Sequence, residues 1–266
     1  MRYAYVTTNL LDLWSQPRFN SERASQVLFG ETVAVSSIRG GYARVIQADG
    51  YTGWASANHL RNISKRQWQK YAKAVDIVVS GEKAVLHGPD SRLVPPPHFV
   101  YYGTRLKSVG RVRDLIRCSL PDGSHVFLKP QRIRPIMGTK SRETSPSKIV
   151  AEAKRFLGVP YLWGGVSPAG FDCSGFVRAV LGAFGIYLPR DTRDQIKCGI
   201  SVNRENVRTG DLLFFKRHVG LAMTGQRIIH ASVGGSGVRV NSLRPGGQDY
   251  RPDLDQSFVT ARRIQC

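Results

Sequence analysis

Gly170-Phe171-Asp172-Cys173-Ser174-Gly175-Phe176-Val177-Arg178-Ala179-Val180-Leu181-Gly182-Ala183-Phe184-Gly185 is the stretch on which the reading of the fold turns. From Cys173 onward, Phe176, Val177, Val180, Leu181 and Phe184 recur at three- and four-residue spacing, and Gly185 follows. That pattern is one apolar face of an α-helix with a glycine stop. Cys173 therefore stands where loop gives way to helix. The thiolate is the reactive form of cysteine, and the unpaired N–H groups and macrodipole of a helix N-terminus favour it. The same N–H groups can donate to an oxyanion, so one local structure serves two needs of acyl transfer. A buried structural thiol ahead of an apolar helix is the competing reading.

Upstream, Ser147 is placed to cap a helix whose apolar positions are Ile149, Val150, Ala153, Phe156 and Leu157, ending at Gly158. Downstream, Asp211–Phe215, His218–Met223, Arg227–Ser232, Val238–Leu243 and Phe258–Arg263 read as strands. Helices first and an antiparallel sheet afterwards make 147–266 an α+β domain. Two histidines lie in this sheet. Folding the chain about Gly225 sets His230 near a position opposite His218, and their even separation suits one sheet face if no bulge intervenes. A nucleophile with a base, and the base oriented by a third polar group, is the logic of activated nucleophiles. Cys173 would attack, His218 would carry the proton and His230 would hold the His218 ring. Two satisfied strand histidines, or a Cys-His-His zinc site, fit the same residue types.

The N-terminal half has another texture. Tyr3–Thr7, Leu10–Trp14, Thr32–Ile38, Tyr42–Gln47 and Gly53–Ala55 are short strand candidates broken by glycine turns, which suggests a small barrel over 1–62. A connector, 63–75, reads as a helical turn or two packed through Trp68 and Tyr71. Residues 76–137 repeat the short-strand texture with Ile77–Ser80, Ala84–Leu86, Arg105–Val109, Asp114–Ser119 and His125–Lys129. Pro95-Pro96-Pro97 belongs to a loop, since proline cannot donate to a central ladder. Residues 138–146 read as a linker.

Composition narrows the function classes. The 266 residues carry 39 Lys+Arg against 19 Asp+Glu, a formal net charge of +20. Segments 1–75, 76–138 and 139–266 contribute +6, +5 and +9, so the excess is spread and not gathered in a tail. Such a chain attracts polyanions nonspecifically, but no zinc-finger spacing or aromatic RNA-binding signature points to specific nucleic-acid binding. Four sparse cysteines, Cys118, Cys173, Cys198 and Cys266, suit reduced thiols better than a disulfide scaffold. No run approaches the ~20 apolar residues of a membrane span. The first residues have no apolar signal core, from which a cytoplasmic location is expected, export by another route being left open.

Tyr161-x-Trp163-Gly164-Gly165, Asp172-Cys173-Ser174-Gly175-Phe176, Leu188-Pro189-Arg190-Asp191-Thr192-x-x-Gln195, Gly210-Asp211-Leu212-Leu213-Phe214-Phe215 and His218-Val219-Gly220 follow in order. Together they resemble the NlpC-type cell-wall cysteine peptidases over about 145–265. The resemblance implies a papain-like α+β catalytic domain and hydrolysis of a peptidoglycan stem-peptide amide without a metal or cofactor. It carries over Cys173 as nucleophile, His218 as base, His230 as orienting group and Tyr161 as oxyanion support. Ser25-Gln26-Val27-Leu28-Phe29-Gly30-Glu31 and Asp49-Gly50-Tyr51-Thr52-Gly53-Trp54 resemble the first bacterial SH3-like domain of one subgroup, so two small SH3-like β-barrels are expected ahead of the catalytic domain. That subgroup cleaves γ-D-glutamyl–diamino acid bonds in peptides with a free N-terminal L-alanine. Its ammonium-binding positions match Glu31, Tyr51 and Asp172, and those contacting D-glutamate match Ser174 and Thr192. The expected partners are peptidoglycan-derived peptides. A hydrolase acting on glycan-linked wall, and a non-catalytic wall-binding module, are the alternatives. Phe215-Lys216-Arg217-His218 is short for the family and sets two cations beside the base, which would depress the His218 pKa or favour an acidic substrate.

Overall fold

In the N-terminal half, short runs that mix apolar with polar residues form strands of three to eight residues. A computed structural model describes residues 1–88, 97–136 and 145–264, and divides the chain into two units, Met1–Ile136 and Met137–Cys266. The first unit opens with β1 (Arg2–Val6), β2 (Leu10–Trp14), β3 (Arg23–Leu28), β4 (Thr32–Arg39), β5 (Tyr42–Ile46), β6 (Thr52–Ser56) and β7 (Leu60–Ile63). They pair antiparallel in the order β3-β2-β6-β5-β4-β1-β7, around Val6, Leu11, Leu13, Val27, Val33, Val35 and Val45. No ladder joins the edge strands β3 and β7 among the described residues. Both edge strands escape the sequence pattern. In β3, Ser25 and Gln26 are buried polar residues, and Gln26 Nε2 donates to Asp12 Oδ1 on the neighbouring strand at 2.9 Å.

The connector is α1 (Lys65–Ala72), opened by a reciprocal capping box between Ser64 and Gln67. Trp68 stacks on Tyr3 at 4.9 Å between ring centres, and Tyr71 is buried. A second set follows: β8 (Ile77–Val79), β9 (Lys83–Val85), β10 (Phe99–Tyr101), β11 (Arg105–Val112), β12 (Leu115–Ser119), β13 (His125–Leu128) and β14 (Ile133–Pro135). Five of them form the sheet β13-β12-β11-β8-β14, and β9 pairs with β10 alone among the described residues. The core of this set takes in Tyr5 and Phe29 from the first sheet, beside Val79, Val100, Leu106 and Leu128. The Tyr5 hydroxyl donates to Asp122 at 2.7 Å, and Arg61 pairs with the same carboxylate at 3.1 Å. The second core therefore draws two of its residues from the first strand set, which keeps a core of its own. Pro97 is outside any strand; Pro95, Pro96, Cys266 and linker residues 138–144 lie outside the described residues.

The second unit starts with α2 (Pro146–Lys154). Its cap is Ser145, whose hydroxyl accepts from Lys148 N, and not the expected Ser147. Pro146 explains the shift: proline has no N–H to satisfy and its φ is pre-set for the first helical position. Ile149, Val150, Ala153 and Phe156 are buried as the spacing predicts, but Leu157 lies beyond the helix end and is half exposed. After the short ladder of β15 (Val166–Ser167) and β16 (Gly170–Phe171) come α3 (Cys173–Gly182), α4 (Thr192–Gln195) and β17 (Ile200–Val202). Then follow β18 (Leu212–Phe215), β19 (His218–Thr224), β20 (Arg227–Ser232), β21 (Gly237–Ser242), α5 (Pro252–Gln256) and β22 (Phe258–Arg263). The sheet runs β17-β22-β18-β19-β20-β21, all antiparallel, and α3 packs on β19 and β20. Phe156, Phe171 and Phe176 meet edge-to-face beneath the helix at 5.4 and 5.6 Å. Among the described residues no helix is long and apolar enough to cross a membrane.

The hairpin of β19 and β20 decides where the histidines go. Its turn is the two-residue loop Gly225-Gln226, closed by the pair Thr224↔Arg227. Carried on unbroken, that register would send His218 and His230 to opposite faces, because side chains alternate strictly. A bulge between Ala222 and Thr224 shifts the pairing to Ala222↔Ile228 and Leu221↔Ile229. Continued from there, the register sets His230 across from Gly220, two residues from His218 and on its face. The shared face thus depends on a bulge, where the sequence reading required none.

Candidate active site

Cys173 is the first residue of α3, with Asp172 as its N-cap. The Asp172 carboxylate accepts from five donors. Oδ1 takes Gly175 N at 2.6 Å, Ser174 Oγ at 3.2 Å and Arg190 Nη1 at 3.2 Å; Oδ2 takes Gly164 N at 3.0 Å and Arg190 Nη2 at 2.5 Å. Arg190 also donates to Ser174 Oγ at 2.8 Å, and Gln195 Nε2 donates to the Ser174 and Pro189 carbonyls. This cluster ties the helix start to the Trp163-Gly164-Gly165 loop and to the Leu188–Gln195 segment. The approach is close enough to require glycine: a Cβ on Gly175 would sit 2.1 Å from the Gly165 carbonyl oxygen.

On the sheet side, His218 Nε2 and His230 Nδ1 lie 2.7 Å apart, and His230 Nε2 lies 2.9 Å from Asn241 Oδ1. A Cβ on Gly220 would sit 2.8 Å from the His230 Cβ, so a bare glycine gives that ring its room. Cys173 meets this strand directly. Hydrogen bonding from the Val219 backbone, next to His218, and from the Ser174 backbone and Thr192 side chain favours its thiolate. Thr192 Oγ1 lies 3.9 Å from the Cys173 sulfur.

Burial nevertheless governs the resting charges. It pushes the Cys173 thiol up, with the Asp172 charge next, against those hydrogen bonds. Burial also pushes both histidines down. For His218 the further causes are His230 and then Arg251, so Arg251 takes the part expected of Lys216 and Arg217. The helix terminus alone favours a thiolate, but the burial penalty on the ionised form outweighs it, leaving thiol beside neutral imidazole. Tyr161 is half-buried and its hydroxyl is pushed up by burial, then by charge at Cys173 and Asp172.

The zinc alternative meets a geometric objection. Two nitrogens bound ~2.0–2.1 Å from a tetrahedral zinc would stand roughly 3.3 Å apart, whereas a 2.7 Å separation is a hydrogen bond. Among the described residues no group of three His, Cys, Asp or Glu side chains is placed to hold a metal.

The structure thus gathers Cys173, His218, His230, Thr192, Ser174, Asp172 and Tyr161 in the second unit. Glu31 and Tyr51 belong to the first. Glu31 follows the Gly30 turn, and the Tyr51 hydroxyl donates to the Ala24 carbonyl at 3.2 Å. Arg190, Gln195 and Asn241 were not singled out from sequence. Arg190 and Gln195 stood in the quoted Leu188–Gln195 motif. Asn241 was reachable by carrying the hairpin count one strand further: it pairs with Ile228, diagonal to His230 and on its face.

Residues 158–252 match the NlpC/P60 family, and residues 13–60 match the bacterial dipeptidyl-peptidase Sh3 domain. The chain is 30% identical over 235 residues to the gamma-D-glutamyl-L-lysine dipeptidyl-peptidase of Bacillus subtilis, covering 82% of this chain and 75% of that one. The Bacillus cereus protein of the same name is 27% identical over 289 residues, covering 96% and 83%. The Escherichia coli murein DD-endopeptidase MepS/murein LD-carboxypeptidase is 43% identical over 124 residues, covering 44% and 62%. A crystal structure of an NlpC/P60 protein from Bacillus cereus superimposes with TM-score 0.84 at 23% identity, over 99% of this chain and all of that one.

Proposed function

The chain belongs to the NlpC/P60 family of cysteine peptidases, and from that premise we propose that it hydrolyses the γ-D-glutamyl–diamino acid amide of peptidoglycan-derived peptides with a free N-terminal L-alanine. The observation that carries this reading is the match to dipeptidyl-peptidases along nearly the whole chain, Sh3 segment included. In this reading the C-terminal unit is a papain-like α+β domain and the N-terminal sheets are SH3-like barrels.

Cys173 attacks the γ-carbonyl carbon of D-glutamate while His218 takes its proton. The tetrahedral oxyanion faces backbone N–H groups at the start of α3 and the Tyr161 hydroxyl. His218 returns the proton to the departing amine, leaving a Cys173 thioester. Water then attacks that carbonyl, giving one proton to His218, and the released sulfur recovers it. His230 holds the His218 ring. Ser174 and Thr192 flank the D-glutamate. By the resemblance, Glu31 and Tyr51 supply oxygen acceptors for the alanine ammonium. The positive surface attracts anionic polymer without selecting it.

A second reading, action on glycan-linked wall, is favoured by the higher identity to the murein endopeptidase within the catalytic segment. L-Ala-γ-D-Glu-diaminopimelate and its N-acetylated twin separate the two, with Cys173→Ala as control and products followed by mass spectrometry. The free-amine peptide alone should be cleaved, and Glu31→Gln or Tyr51→Phe should raise KM for it. Cleavage of both peptides would move the assignment to wall hydrolysis, and cleavage of neither would overturn it.

A further inference from the structure

Asn241 is 3% exposed at the far end of the histidine pair, and every bond it makes has a forced direction. Its Nδ2 lies 2.8 Å from the Asp249 carbonyl oxygen, which can only accept. That contact fixes the amide, so Oδ1 faces His230 Nε2 at 2.9 Å. Oδ1 can only accept in turn, so His230 carries its proton on Nε2. His230 Nδ1 is then a lone pair, and at 2.7 Å His218 must donate to it from Nε2. The nitrogen left bare is His218 Nδ1. One peptide carbonyl therefore sets the protons of three side chains in series.

The carbonyl itself is held in place. Asp249 adopts a left-handed backbone, φ +57, a region that aspartate tolerates better than most non-glycine residues. Ser242 N donates to the same oxygen at 3.2 Å, and Arg251 N donates to the Ser242 carbonyl at 3.0 Å, which clamps the loop to the end of β21. A hydrophobic residue at 241 would free both histidines to exchange tautomers. In the other tautomer, the proton sits on the nitrogen that has to accept from sulfur.

We propose that Asn241, aimed by the Asp249 carbonyl, is a positioning residue that holds His218 in the tautomer whose Nδ1 can take the Cys173 proton. The inference rests on His218 being the base, and its test has a readout independent of substrate. Ring ¹⁵N spectra of histidine-labelled protein at neutral pH should show Nε2–H and bare Nδ1 for both His218 and His230. In Asn241→Leu the two nitrogens of each ring should average toward mixed tautomers. Its kcat should fall about 10- to 100-fold with KM unchanged, as outer-group losses do. Asn241→Asp keeps an acceptor for His230 Nε2–H but sets a second oxygen against the Asp249 carbonyl, so it should retain the wild-type tautomers and recover only part of the lost kcat. Nδ1–H on His230 in the wild type would overturn the proposal. So would Asn241→Leu with unchanged spectra and unchanged kcat. If the wild-type protein cleaves no γ-D-glutamyl peptide, the substrate reading fails while the spectra still decide this one.

Discussion

Buried polar side chains are divided unequally between the two units: four in Met1–Ile136 and eleven in Met137–Cys266, among the described residues. Each costs free energy unless bonded, so a core rich in them is retained for something besides stability. The first unit has an apolar core whose Tyr5–Asp122–Arg61 fastening lies toward its edge. In the second, two connected networks stand on either side of Cys173. Asp172, Arg190, Ser174 and Gln195 hold the helix start, while His218, His230 and Asn241 form a line along the sheet. Glu31 and Tyr51 apart, the first unit should therefore respond to substitution through stability alone. The second should respond through stability on the helix side and turnover on the sheet side.

The largest expected effect breaks the sheet-side line at the proposed base. His218→Ala should lower kcat by about 10³-fold or more, the scale of a lost general base. Near wild-type activity in a folded His218→Ala protein would contradict the assignment of His218 as the base. On the helix side, Arg190→Met leaves Asp172 buried and unpaired and should cost about 3–5 kcal/mol in chemical unfolding. A loss below about 1 kcal/mol would place that pair with ordinary surface ion pairs.

Smaller effects sharpen the contrast. With the thiol pushed up and both imidazoles pushed down, the proton stays on sulfur across neutrality. Iodoacetamide alkylation of Cys173 should rise with pH beyond the ordinary thiol range. A flat, fast rate from about pH 5 to pH 8 would mark a resting thiolate–imidazolium pair instead. In the first unit, Tyr5→Phe loses the bond to Asp122 and should cost about 1–2 kcal/mol with kcat unchanged.

The strands and α3 were legible in sequence because their apolar periodicity is unbroken, and β2, β20 and β22 begin and end where the pattern does. The failures have physical causes. Edge strand β3 hides polar residues whose partners lie on another strand, and Pro146 moved the α2 cap to Ser145. Cys173, His218 and His230 were legible as residue types in a familiar order. The hairpin geometry that unites the histidines was not: a two-residue turn plus a bulge reaches the same register as a three-residue turn without one. Arg190 and Asn241 went unnoticed because their importance lies in buried partners far along the chain.

Rapid acid quench during turnover of L-Ala-γ-D-Glu-diaminopimelate, followed by peptide mass mapping, tests the central claim most directly. An L-Ala-D-Glu acyl adduct is expected on the peptide containing Cys173, absent from Cys173→Ala, which should also be inactive. An adduct on another residue, or hydrolysis by Cys173→Ala at the wild-type rate, would contradict it.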